Sequence, residues 1–426
     1  MNWRKIRVLT FITLIFLYLF SNPVNVYLIS QEESPNKPSI NENFIKVYNT
    51  TRKQAIIDFV AALQMKDGGF VSDLIAPEEE EDTCITMDAV YVLAHLNALD
   101  AVDKEAIINY VARCQTDDGG FIGTLWWPEE TEPDIVDAEE AAYILYQLNA
   151  FDKIDRDALL NWILKCYNED GGFGCEPGEP SSFIHTIEGV SALFWLGELN
   201  KIDREKTINF ILSYYEEDGS FSGFFSSDVD TFHAVLALLR LGALNRIDRE
   251  KTINFYMSYY DEEEQLFKLE IGAPLPVNHY PVIVLSLLGG LNRINVSRMV
   301  DLILSCQSPW YGGFATSPED IYEEEEVDVD PTRVAVEMLE ALDALDVLND
   351  NFTVKYKPVW HGEPYVPSED EEGEGGEGNM LNLTLFDCLV LATCIISFAA
   401  IYFLLKRAVK YRRRLKRLKK RKTLIH

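Results

Sequence analysis

Six copies of one short motif constrain this chain more than anything else in it. D-G-G-F occurs at residues 67–70, 118–121 and 170–173, D-G-S-F at 218–221 and Y-G-G-F at 311–314, and a degenerate E-E-Q-L-F ends at Phe267. The phenylalanines step by 51, 52, 48, 46 and 47 residues, which makes six units of one architecture. Each unit opens with an amphipathic segment such as D-R-E-K-T-I-N-F-I-L-S-Y-Y at 203–215. Its apolar residues recur every three or four positions, and an Asp or Asn cap with acids in the first turn starts it. The glycines end that helix and reverse the chain. A loop of variable length leads to a second, more apolar helix such as D-T-F-H-A-V-L-A-L-L-R-L-G-A-L at 230–244.

An amphipathic helix followed by a nearly all-apolar one, six times over, predicts two concentric layers with the apolar helices inside. Such hairpins either close into a ring or stack as an open solenoid. A solenoid needs polar capping repeats, and no unit reads as one, which favours closure. The expected fold is all-α, with six helical hairpins forming an (α/α)6 toroid over residues 50–350. Cys114, Cys166 and Cys306 fall in one column near the ends of the outer helices and are expected as buried thiols.

The hairpins of residues 50–346 resemble the α/α-toroid superfamily of protein prenyltransferase β subunits and squalene-type terpene cyclases. The resemblance implies an active end, or mouth, where the inner helices begin. Those helices align on the column Thr86, Ala138, Thr186, Thr231, Asn278 and Thr332. D-T-C-I-T at 82–86 is similar to the prenyltransferase D-x-C-x-S/T, whose Asp and Cys bind zinc. F-I-H-T at 183–186 is similar to the Y-H-T that supplies the family's histidine ligand. Here His185 stands two units beyond Asp82 and Cys84, with Asp137 in the histidine column between them. Adjacent helices pack about 8–10 Å apart, whereas zinc ligands converge to within about 2.3 Å of the metal. The set that can converge is therefore Asp82, Cys84 and Asp137, an unusual donor set for a possible zinc. The alternatives are a free Cys84 or a Cys84–Cys175 disulfide, and a His185 held between Asp137 and Asp230. D-V-D-P-T at 328–332 resembles the D-x-D-D-T of acid-initiated cyclases. That implies Asp330 as the alkene-protonating acid and Asp328 as its partner, with Pro331 in place of the third carboxylate; the alternative is a helix cap.

The mouth loops (71–84, 122–137, 174–185, 222–230, 268–278 and 315–331) hold 24 carboxylates against a single base, Lys268. A prenyl diphosphate needs a clamp of cationic donors, and this mouth repels it. It attracts a cation or basic partner, unless the acids serve only solubility. Trp126, Trp127, Phe183, Phe224 and Tyr322, with His185 and Asp230, are the expected binding residues of the mouth, as an aromatic cage or as loop anchors.

The net charge of −31 argues against nucleic acid as a partner. The basic groups are concentrated at the ends. Arg4, Lys5 and Arg7 precede the apolar run 8–20, and twelve Lys and Arg occupy 406–426 just after 18 uncharged residues at 388–405. The first run reads as a signal peptide or an uncleaved anchor within 1–29, followed by a linker at 30–49. The second reads as a transmembrane helix at 386–405. The acidic, Gly- and Pro-rich stretch 351–385 reads as a stalk. The positive-inside rule then places the toroid outside the cell and the tail in the cytoplasm. The expected function is a membrane-anchored, surface-exposed binding module for a cationic or apolar ligand or a basic partner protein. The alternative is an active toroid enzyme.

Overall fold

The computed structural model describes residues 47–74, 82–125, 132–268, 272–322 and 326–355. Among them run twelve α-helices: α1 (Arg52–Ala62), α2 (Thr83–His95), α3 (Lys104–Arg113), α4 (Ile135–Gln147), α5 (Arg156–Cys166), α6 (Phe183–Trp195), α7 (Arg204–Leu212), α8 (Ser227–Arg240), α9 (Arg249–Met257), α10 (Pro274–Leu288), α11 (Val296–Ser305) and α12 (Val329–Ala341). Short strands accompany them: β1 (Tyr48–Thr51), β2 (Tyr260–Asp261), β3 (Leu266–Phe267), β4 (Phe314–Ala315), β5 (Val327–Asp328) and β6 (Asn351–Val354).

The odd-numbered helices are the amphipathic outer ones. Asp103, Asp155, Asp203, Asp248 and Asn295 cap α3, α5, α7, α9 and α11, each side chain accepting the backbone N–H three residues on. This satisfies donors that a helix start otherwise leaves unpaired. The even-numbered helices pack in sequence around an axis, and α12 returns to pack on α2. The described residues therefore form a closed ring and not an open solenoid.

Two sets of contacts explain why the repeat closes. Within a unit, the motif phenylalanine is buried, and its N–H donates to the column residue of the inner helix. Phe70 donates to Thr86 Oγ1 at 3.2 Å, Phe173 to Thr186 at 3.0 Å, Phe221 to Thr231 at 2.8 Å and Phe314 to Thr332 at 2.9 Å. In the fifth unit Phe267 donates to Asn278 Oδ1 at 2.8 Å. Ala138 has no such group, so the second unit lacks this lock. Between units, Gln64 Nε2 donates to the Asp103 carbonyl at 2.9 Å and its Oε1 accepts the Asp103 N–H at 2.8 Å. Gln115 and Asp155 repeat the pair. Gln307 makes the corresponding joint across the seam, accepting from the Arg52 guanidinium at 2.7 Å and donating to the Arg52 carbonyl at 3.2 Å.

At the mouth, the Thr83 N–H donates to Gly123 O at 2.8 Å and the Ile135 N–H to Cys175 O at 3.0 Å, so an inner helix hooks onto the next unit's loop. The Val329 N–H donates to Ser72 O at 2.9 Å, which repeats that hook from the last unit onto the first. β1 and β6 pair antiparallel, Tyr48 opposite Val354 and Thr51 opposite Asn351. The limits expected at 50 and 350 cut through this pair, because backbone groups at both chain ends of the ring satisfy one another there.

Cys114, Cys166 and Cys306 are buried thiols, as expected. No described helix is long and apolar enough to cross a membrane. The expected signal or anchor, the stalk beyond residue 355, the segment 386–405 and the basic tail lie outside the described residues.

The motif glycine at the seam carries a specific requirement. Gly312 has φ +98°, and a Cβ there would stand 2.5 Å from the Ala55 carbonyl oxygen of the first outer helix. Gly178 has φ +87° with no atom within 4 Å of a Cβ. Gly178→Ala is expected to cost about 1 kcal/mol from backbone conformation alone. Gly312→Ala should cost about 3 kcal/mol or more, since the backbone cannot yield at the seam. Urea unfolding midpoints of the two variants measure the difference, and equal losses would mean that the seam is not closed.

Candidate functional site

The starts of the inner helices hold the residues that the sequence points to, but not in the expected sets. Asp82 caps α2, its Oδ1 accepting the Ile85 N–H at 2.7 Å, and burial raises its carboxyl above the ordinary value. Cys84 and Cys175 are both free thiols, so no disulfide joins them. Burial, and then the charges of Glu140, Asp88 and Asp82, hold the Cys84 thiol far above its usual range. Asp137 is pushed up to about 7 by burial and by Asp134 and Asp82. A zinc site needs three or four converging donors. Here Asp82 already serves as a helix cap, and no three His, Cys, Asp or Glu side chains come together as a metal-holding group among the described residues, so the residues as placed do not fit the metal. Half-buried His185 has its pKa lowered by burial, opposed by Asp134 rather than by Asp137 or Asp230.

Three further expectations change place. Phe183 is not a mouth residue: it is buried and packs on Tyr214 and Phe221, with ring centroids 4.9 and 6.5 Å away. Asp230 is fully buried, and its carboxylate accepts the N–H groups of Gly223, Phe224 and Phe225 at 2.7, 2.8 and 3.0 Å. It therefore shapes the loop instead of meeting a ligand, its oxygens taken up by three backbone amides. Asp330 is exposed and pairs with Arg333 at 2.9 Å. Asp328 caps α12 by accepting the Asp330 N–H at 2.8 Å, and burial pushes its carboxyl up to about 6. Phe224 and Tyr322 are exposed at the mouth as expected, and Phe224 meets Phe225 edge to face at 4.7 Å. Trp126 and Trp127 lie outside the described residues.

The larger finding lies deeper. The inner helices are not uniformly apolar: two residues beyond the threonine column stand Asp88, Glu140, Glu188, His233 and Tyr280. Beside them are Glu139, His279, Arg333, Glu337 and Arg240. Arg333 Nε meets Asp88 at 2.7 Å, NH1 meets Glu337 at 2.8 Å and NH2 meets Asp330 at 2.9 Å. His279 Nε2 lies 2.9 Å from the same Glu337. Burial would raise Glu337, but His279 and Arg333 outweigh it and hold it at about 2. Asp88 is pushed up to about 7 by burial in spite of Arg333. Glu140 accepts from Thr83 Oγ1 at 2.5 Å, and burial holds it well above the ordinary value. Glu139 accepts from Trp195 Nε1 at 2.8 Å. Burial, then the Glu139 charge, pushes Glu188 up to about 8. A single signal marks this group in the sequence: titratable residues at one phase of helices that are otherwise apolar.

Asp88, Asp137 and Glu188 keep protons in the folded chain at pH values where an unfolded carboxyl, near 4, has lost them. The folded state therefore binds more protons between about pH 4 and 8, and stability falls as pH rises through that window. Glu337, with its lowered value, acts in the opposite sense only below that window, and His233, lowered to about 4 by burial, opposes inside it as one group against three. The melting temperature should be higher at pH 5 than at pH 8 by about 5 °C or more, and Asp137→Asn should narrow the gap. Calorimetric scans across that range check it, and a melting temperature that climbs with pH would contradict the burial of these acids.

The family model of the prenyltransferase alpha-alpha toroid domain matches residues 42–223 and 180–356. The chain is 31% identical over 132 residues to the geranylgeranyl transferase type-2 subunit beta of Saccharomyces cerevisiae, covering 30% of this chain and 39% of that protein. It is 29% identical over 147 residues to the geranylgeranyl transferase type-1 subunit beta of Arabidopsis thaliana, covering 33% and 38%. The chain thus spans about two fifths of the length of the curated relatives it matches. A crystal structure of a protein from Actinoplanes superposes with a TM-score of 0.50 at 14% identity, over 68% of this chain and 98% of that one, a likeness of fold. A type II terpene cyclase from Scytonema gives 0.49 at 12% identity, over 70% and 97%. With the ring, its seam and its column of locks in place, the chain belongs to the prenyltransferase alpha-alpha toroid domain family.

Proposed function

We propose that this chain is a membrane-tethered toroid that receives a cationic partner at its acidic mouth and does not carry out prenyl-diphosphate chemistry. One observation carries the reading: the described cations of the mouth and axis are already engaged by the protein's own groups. Arg333 is shared among Asp88, Asp330 and Glu337. Lys268, the single base of the mouth loops, pairs with Asp261 at 2.8 Å and Glu264 at 3.3 Å. Arg240 bonds Ser191 and lies over the rings of Trp195 and Phe194 at 5.1 and 5.8 Å. A diphosphate drawing on Arg333 would have to break that network and leave the buried Asp88 and Glu337 uncompensated, at a cost of several kcal/mol. A cation meets no such obstacle and is drawn by the acidic loops.

The membrane tether rests on the apolar runs at 8–20 and 388–405 with basic residues beside each. The enzymatic reading keeps one foothold in Asp328, whose carboxyl is raised to about 6. Protonating an alkene needs a far stronger acid with a free proton, and Asp328 spends an oxygen as a cap.

The test is a titration of the full chain in lipid nanodiscs with an oligolysine peptide and with geranylgeranyl diphosphate. Oligolysine should bind, and its affinity should drop at least about tenfold between low and physiological salt. Glutamine in place of the glutamates at 78–81 and 323–326 should weaken it to a similar degree. Saturable micromolar binding of the diphosphate, with none of oligolysine, would contradict the proposal.

A further inference from the structure

The two strands that close the ring each carry an Asn-x-Thr sequon. β1 contains Asn49-Thr50-Thr51 and β6 contains Asn351-Phe352-Thr353. Side chains two apart on a strand share a face, so each asparagine stands beside its own threonine. The antiparallel register sets Asn49 opposite Thr353 and Asn351 opposite Thr51. Asn49, Asn351 and Thr353 are exposed. Phe352 lies on the other face, where the Arg52 guanidinium covers its ring at 4.8 Å and bonds Gln307 at the seam. The acceptor segment is thus held rigidly with its asparagine outward. Asparagine is depleted in strands, and Asn351 gains nothing structural in return: its side chain makes no hydrogen bond with a described residue. Asn49 uses only its Oδ1, which accepts from the Thr353 hydroxyl at 2.9 Å. A third sequon, Asn295-Val296-Ser297, is different. Asn295 is half-buried and fully engaged, Oδ1 capping α11 through the Arg298 N–H at 3.1 Å and Nδ2 donating to Gln265 Oε1 at 2.6 Å. A fourth, at Asn382, lies outside the described residues.

We propose that Asn351 is a modification site and carries an N-linked glycan. In the transfer, Asn351 Nδ2 attacks the anomeric carbon of a lipid-diphosphate-linked oligosaccharide. The C–N bond forms, the C–O bond to the diphosphate breaks, and the amide gives up one proton. The folded ring then has only to accommodate the product. At Asn351 it does so without loss, because Nδ2 has no partner and the outward face of the ribbon is open. At Asn295 the same product would displace the bond to Gln265 in half-buried surroundings. A bulky, solubilising group on β6 also hinders other chains from pairing with the edges of a two-stranded ribbon. The site rests on the membrane-tethered reading with the ring on the exported side, where such transfer takes place.

The test expresses the full chain in a eukaryotic host that N-glycosylates exported proteins and isolates sealed microsomes. The ring should resist added protease until detergent opens the vesicles. Peptide N-glycosidase in heavy-oxygen water should convert Asn351 to labelled aspartate in most copies, read by mass spectrometry of its peptide. Asn351→Gln and Thr353→Ala should each remove one glycan from the chain. Both substitutions fall at exposed positions, and the labelling of the unsubstituted chain decides the matter even if one of them folds poorly. An unlabelled Asn351 in a protease-protected ring, or undiminished labelling of Asn351 in Thr353→Ala, would overturn the site and leave the tether standing. A ring open to protease in sealed microsomes would instead overturn its exported placement, and the site with it.

Discussion

One guanidinium shared among three carboxylates ties the last inner helix to the first. Arg333 on α12 reaches Asp88 on α2 at 2.7 Å and holds Glu337 and Asp330 of its own helix. His279 of α10 joins through Glu337. Buried ion pairs of this kind are expensive to desolvate and do not by themselves guarantee stability. Their effect here is specificity: the charge on α12 has its low-energy partner on α2 only when the six hairpins have closed. The seam is then sealed on other levels by Gln307 with Arg52, Val329 with Ser72, and β1 with β6. An open array would leave each of those groups without its partner.

Closure has an electrostatic consequence for the interior. Six inner helices give the axis a private environment in which acids outnumber bases, with Asp88, Glu139, Glu140, Glu188 and Glu337 facing Arg240 and Arg333. Low dielectric strengthens every pair and raises the cost of every unpaired charge. Both arginines are engaged internally, Arg333 by Asp88, Asp330 and Glu337 and Arg240 by Ser191.

The sequence displayed the ring and its column of locks almost directly. The Thr86 column was legible because each member does one backbone job, receiving the motif phenylalanine's N–H and so fixing loop to helix. The Gln64, Gln115 and Gln307 joints were less visible, since Tyr167, Tyr215 and Tyr260 do the same work in other units with a hydroxyl. The site was harder to read. Motif likeness placed Asp330, Asp230 and Phe183 at the mouth, but a neighbouring Arg333, three loop amides and an aromatic core claim them respectively. The interior acids were missed because the inner helices look apolar when averaged. Only their phase, two positions beyond the threonine column, separates Asp88, Glu140 and Glu188 from surface charge.

A double-mutant cycle between Asp88→Asn and Arg333→Gln, read by urea unfolding at pH 8, tests the closed and charged ring most directly. If the two side chains meet across the seam in a buried environment, the cycle should return a coupling of about 2 kcal/mol or more. Additive losses, with coupling within about 0.5 kcal/mol of zero, would mean that α12 and α2 do not share this ion pair and that the ring is not held as described.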